Sequence, residues 1–167
     1  MSAVNSMNAA FRELITVRRT TPQDDLLTAL VHATDEDDKL NEDELLASCQ
    51  IIMLAGHETT IHGLSNGLLD LIQHKDNWEQ FRQDPEIAKS AVEELGRYNG
   101  VFGSLVRAVV EDFEWHGKHI KKGDVIFLMV NAANRDPRVY VDPDTLNFGR
   151  KNPYPLSFGP GIHFCLG

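Results

Sequence analysis

Phe158-Gly159-Pro160-Gly161-Ile162-His163-Phe164-Cys165-Leu166-Gly167 sets a single cysteine in a loop punctuated by glycine. Glycine admits positive φ and lets backbone approach a flat ligand closely, while Pro160 stiffens the turn between Gly159 and Gly161. Cysteine binds metals as the thiolate. An isolated cysteine is more often a small buried hydrophobe, so Cys165 becomes a ligand candidate only through the residues around it.

Outward from that loop the chain divides by its hydrophobic period. Apolar residues up to Val17 form an amphipathic helix, ended by Thr20, Thr21 and Pro22. A short helix over 24–33 leads into an acidic stretch, Asp35, Glu36, Asp37, Asp38, Glu42, Asp43 and Glu44, read as a solvated loop and helix start. Asn41 and Glu44 make an N-cap and capping-box pattern before a long apolar run. The helix it starts should reach about His74, and at ~1.5 Å per residue would be about 50 Å long. Gly56, Gly63 and Gly67 interrupt it at a cost of roughly 1 kcal/mol each relative to alanine.

Asn77 is read as the cap of a short helix, and Asp84-Pro85 as the start of another, whose buried stripe is Ile87, Ala91, Leu95 and Tyr98. From 104 the period changes to strand-like runs over 104–110, 111–115, 118–120 and 124–130, separated by His116-Gly117 and Lys122-Gly123 turns. After Asn131 the chain reads as irregular, bent at Asp136-Pro137, Asp142-Pro143, Pro153 and Pro155.

Five ordered segments resemble one family. Phe158-Gly159-x-Gly161-x-His163-x-Cys165-x-Gly167 resembles the haem-binding loop of the cytochrome P-450 haem-thiolate monooxygenases. Ala55-Gly56-His57-Glu58-Thr59-Thr60 is similar to that family's oxygen-activation segment, and Glu94-Leu95-Gly96-Arg97 to its Glu-x-x-Arg helix. Asn131-Ala132-Ala133-Asn134-Arg135-Asp136-Pro137 resembles the soluble bacterial members, and Leu146-Asn147-Phe148-Gly149-Arg150 a drifted Phe-Asp-x-x-Arg segment. The resemblance implies a mainly α fold with a small β region, residues 1–167 forming a partial haem-thiolate monooxygenase domain. A complete member is more than twice as long, so the chain reads as an internal piece of one.

The resemblance also assigns roles. Cys165 is the iron ligand of a haem b cofactor, and thiolate donation favours O–O cleavage. Thr59 and Glu58 are the hydroxyl and acid that deliver protons, beside Ala55-Gly56, where a local widening of the helix opens a groove. Arg107 and His163 bind propionates, and Phe158 packs near the ligand sulfur, with Ala55 and Gly159 also lining the cofactor. Glu94 and Arg97 share a helix face and form a buried clamp, with Arg150 as third partner. The parent activity is insertion of one atom of O₂ into a small apolar substrate, with electrons from a ferredoxin or flavodoxin-type redox partner. The rival reading is a truncated, non-catalytic remnant with weak or no haem binding.

Two further motifs fail on geometry. His57-Glu58-Thr59-Thr60-Ile61-His62 is HExxxH, and five residues turn a helix by about 500°, which leaves the histidines about 140° apart. Gly63-Leu64-Ser65-Asn66-Gly67 fits G-x-S-x-G but lies in a helix, whereas a nucleophile elbow follows a strand.

A net charge of −9 argues against nucleic-acid or anionic-membrane surfaces. The two cysteines, Cys49 and Cys165, lie far apart and fit neither a redox pair nor a zinc ribbon, which implies a reducing compartment. The first 20 residues carry four charged side chains, Arg12, Glu13, Arg18 and Arg19, and do not read as a signal peptide. No apolar run reaches the ~18 residues of a membrane span, so the expected location is cytoplasmic.

Overall fold

A computed structural model describes residues 3–33, 40–151 and 155–167. The chain forms two compact units, residues 1–58 and 59–167.

In the first unit α1 (Ala3–Thr20) and α2 (Leu26–His32) precede the start of α3 (Glu42–Gln73). Ile15, Val31, Leu45 and Cys49 form its core, packed by Phe11, Leu27, Leu30 and Leu40. Asp25 caps α2 by accepting from the Thr28 N–H at 2.8 Å, and the Arg18 guanidinium binds its other oxygen at 2.6 Å. The Thr28 hydrogen bonds, and then Arg18, hold the Asp25 carboxyl below its ordinary range. The capping box predicted for α3 is present in full. Asn41 Oδ1 accepts from the Asp43 and Glu44 N–H groups at 3.0 Å, and the Asn41 N–H donates to Glu44 Oε2 at 2.8 Å. The acidic stretch at 35–38 lies outside the described residues.

The second unit holds the rest of α3, then α4 (Lys75–Gln83), a 3₁₀ turn (Pro85–Ile87) and α5 (Ala88–Asn99). Leu71, Ala91, Leu146 and Phe148 make its core, with Phe81, Ile87, Leu95 and Tyr98 against them, so the predicted α5 stripe faces inward. Asn77 is not a cap, because α4 begins two residues earlier with His74 at its N-cap. The Asn77 amide instead donates to the Leu146 carbonyl at 3.2 Å, a long-range partner that local pattern cannot announce.

All four predicted strands occur, with three shortened at their ends: β1 (Leu105–Ala108), β2 (Phe113–Trp115), β3 (Lys118–Ile120) and β4 (Val125–Leu128). β1 pairs antiparallel with β4, placing Arg107 opposite Ile126, and β2 pairs antiparallel with β3. His116 at φ 48° and Gly117 at φ 73° make the two-residue connection whose twist matches a β-hairpin. The run after Asn131, read as mainly irregular, opens inside a single-turn helix, α6 (Val130–Ala133), which takes Val130 from the predicted strand run and is too short to show a period in sequence. Pro153 lies outside the described residues. Among the described residues no helix is long and apolar enough to cross a membrane.

Candidate functional site

The second unit is organised around two charged side chains of α5. Glu94 and Arg97 are fully buried, and Arg97 reaches both carboxylate oxygens, Nε to Oε2 at 2.7 Å and Nη2 to Oε1 at 2.8 Å. Arg150 adds its Nε at 3.1 Å from each oxygen, and the Asn147 N–H donates to Oε1 at 3.0 Å. The remaining guanidinium protons go to main chain. Arg97 donates to the carbonyls of Asn134, Pro143 and Thr145, and Arg150 to those of Val141, Asp142 and Thr145. The three-residue clamp therefore pins the whole run 141–150 to α5. Buried ions persist when paired and hydrogen-bonded: Glu94 is paired with two guanidinium groups, and all five Arg97 N–H donors have acceptors.

Beyond the clamp, two 3₁₀ turns, Leu156–Phe158 and Gly161–His163, shape the cysteine loop. Gly159 at φ 69° and Gly161 at φ 81° occupy the left-handed region, which favours glycine and accounts for both residues. The Cys165 N–H donates to the Phe158 carbonyl at 2.9 Å and closes the loop on itself. Phe158 and Phe164 rings lie 6.4 Å apart beside it.

Cys165 is exposed and stands among exposed apolar side chains, Ile162 at 97% and Leu166 at 100% accessibility. A Cβ placed on Gly161 would meet nothing within 4 Å. An accessible soft thiol, apolar neighbours and an open glycine face suit a large, flat, apolar metal complex, so the loop fits haem. Cys49 is its opposite, buried in the first core with its thiol pushed up by desolvation.

The other predicted site residues fall as follows. Ala55, Glu58 and Thr59 lie on α3, the first two exposed and Thr59 half-buried. The widening predicted at Ala55-Gly56 is absent. α3 is α-helical throughout, because a glycine weakens a helix without by itself breaking the i→i−4 ladder. Arg107 is exposed on β1 and its Nη1 donates to the Val106 carbonyl at 2.9 Å. His163 is exposed in the second 3₁₀ turn.

Ser65 lies inside α3, not after a strand, and its hydroxyl donates to the Ile61 carbonyl at 2.8 Å.

Sequence reasoning missed Asn134 and Ser157. Asn134 is fully buried; its Oδ1 accepts from the Leu156 N–H at 2.8 Å and its Nδ2 donates to Ser157 Oγ at 3.1 Å. The Ser157 hydroxyl donates in turn to the Gly96 carbonyl at 2.6 Å. Asn134 stood inside the family-like Asn131–Pro137 segment, but nothing local pointed to its partners 22 and 23 residues on.

Against known proteins, the cytochrome P-450 family model matches residues 2–86 and 82–167. The polyketide biosynthesis cytochrome P-450 PksS of Bacillus subtilis strain 168 is 44% identical over 96% of this chain and 42% of its own length. The vitamin D(3) 25-hydroxylase of Pseudonocardia autotrophica is 38% identical over 99% of this chain and 42% of its own. A solved structure of the Bacillus subtilis PksS protein superposes with a TM-score of 0.95 at 43% identity, covering 99% of this chain and 43% of that one. The chain thus spans about two-fifths of the length of these relatives. With the Glu-x-x-Arg clamp and the glycine-turned cysteine loop in one fold, this chain belongs to the cytochrome P-450 family.

Proposed function

We propose that this chain supplies the haem-thiolate portion of a cytoplasmic monooxygenase acting on a small apolar substrate. The observation that carries the reading is Cys165, accessible in a loop closed by its own N–H on the Phe158 carbonyl at 2.9 Å. Haem b, when bound, supplies the redox chemistry that inserts one atom of O₂, with electrons from a ferredoxin or flavodoxin-type partner. The similarity to a vitamin D(3) 25-hydroxylase supports an apolar substrate.

The chain's own residues do the rest. Cys165 Sγ would hold the iron as thiolate, with Phe158 packing near the sulfur. Gly159 and Ala55 offer close, small surfaces to the ring. Arg107 and His163 donate hydrogen bonds to its carboxylates, which requires Arg107 to exchange its contact with the Val106 carbonyl for the ligand. The Glu58 carboxyl and the Thr59 hydroxyl hold and pass protons.

The test is the carbon-monoxide difference spectrum of the haem-loaded protein. Cys165→Ala should abolish the thiolate signature while Cys49→Ala keeps it. A signature that survives Cys165→Ala refutes the assignment, and a wild-type chain that takes up no haem favours the non-catalytic remnant.

A further inference from the structure

We propose that Asn134 and Ser157 are positioning residues for the ligand loop, holding the backbone on which Cys165 hangs; this rests on Cys165 being the iron ligand. Asn134 is fully buried, yet both ends of its amide are spent on one short turn, the acceptor on the Leu156 N–H and the donor on Ser157 Oγ. Ser157 then fastens that turn to α5 through the Gly96 carbonyl. The next residue, Phe158, offers the carbonyl that accepts the Cys165 N–H. Two hydrogen bonds, joined by the Ser157–Phe158 peptide, thus link α5 to the cysteine.

The space around this path is equally restricted. A Cβ on Gly100 would sit 2.5 Å from the Gly96 carbonyl oxygen and 3.3 Å from Ser157 Oγ, so glycine at 100 leaves room for the Ser157 contact. The Asn134 main-chain carbonyl meanwhile accepts from Arg97. One buried residue therefore joins the clamp, which fixes 141–150, to the pin, which fixes 156–158. Among the described residues, the clamp side chains make no hydrogen bond to the cysteine loop. The Glu94 bonds end at Arg150, and the Asn134 pin takes over beyond it.

Amide hydrogen exchange tests the pin before haem is added, in Ser157→Ala and Asn134→Ser chains. Loss of one anchoring hydrogen bond should speed exchange at the Cys165 amide about tenfold while α5 amides keep their protection. Haem loading of the same variants, well below their unfolding temperature, should then give a larger fraction of carbon-monoxide complex without the thiolate signature. Unchanged Cys165 exchange overturns the proposal, and so does acceleration that extends equally through α5, which would mean general destabilisation. A wild-type chain that takes up haem without the thiolate spectrum sinks the ligand reading, and the positioning role with it, whatever the exchange rates. The two failures are read on different instruments and cannot be confused.

Discussion

Two Glu-x-x-Arg pairs with identical spacing allow the clamp to be weighed against an internal control. Glu79 and Arg82 on α4 pair at 2.9 Å, but their side chains are 50% and 63% exposed. Glu94 and Arg97 on α5 pair at 2.7 Å with both side chains at 0%. An exposed pair of this kind contributes about 0–0.5 kcal/mol, because water and salt screen it and two long side chains lose rotamer freedom. Glu94→Gln keeps shape and removes the negative charge, leaving Arg97 and the nearly buried Arg150 without their shared counter-ion. The new amide also turns an NH₂ donor toward guanidinium donors. Breaking a buried pair from one side costs about 3–5 kcal/mol, against a whole-domain stability of about 5–15 kcal/mol. Replacing the carboxylate and Arg97 together by apolar residues would not rescue the site, since the carbonyls of Asn134 and Pro143 would lose the Arg97 donor and Arg150 its counter-ion. Urea unfolding followed by circular dichroism measures both variants. Glu94→Gln should lower the midpoint severely or prevent folding, and Glu79→Gln should leave it within error. Equal, small losses from both would refute the claim that burial turns this motif into a clamp.

Gly56→Ala should raise the unfolding temperature, by about 0.5–1 kcal/mol of helix propensity, since the added Cβ meets nothing within 4 Å and the residue is helical. A fall in that temperature would show that Gly56 is held for backbone reasons after all. Asp70 gives the pH prediction. It is 96% buried by its 4% accessibility, its Oδ2 has no hydrogen-bond partner among the described residues, and burial pushes its carboxyl above the ordinary 3.8 despite Asn99, His74 and Arg135. The folded form therefore binds more proton than the unfolded form above 3.8, so stability falls as pH rises from there through the raised value and stays lower beyond it. Asp70→Asn should flatten that decline and be the more stable protein at neutral pH; a pH profile of unfolding temperature that matches the wild type sinks the argument.

What was legible in the sequence was local. The α3 cap was readable because Asn41 bonds Glu44 three residues away, and the hairpin turn because His116-Gly117 carries its own backbone requirement. The cysteine loop was readable for the same reason, its glycines being demanded by φ within ten residues of Cys165. What escaped was set by distance along the chain. Asn77 looked like a cap because asparagine caps helices, but its partner is a carbonyl 69 residues on. Asn134 looked like part of an irregular run, yet its side chain meets residues 22 and 23 positions away and its carbonyl an arginine 37 away.

The division has a physical cause. The chemistry of a candidate ligand such as Cys165 resides in one side chain and its immediate turn, so a short motif suffices to announce it. Placing that ligand to within a bond length is a different task, because a loop cannot rigidify itself against its own conformational entropy. It needs donors and acceptors from elements already fixed by a core, here α5, whose Ala91 and Leu95 belong to the apolar cluster while Glu94, Gly96 and Arg97 supply the polar contacts. One helix thus spends one face on burial and another on fastening. Substitutions such as Leu146 and Asn147 in the drifted segment are tolerated on those terms. Leu146 still fills the core, and Asn147 meets Glu94 through its main-chain N–H, which any residue but proline would supply.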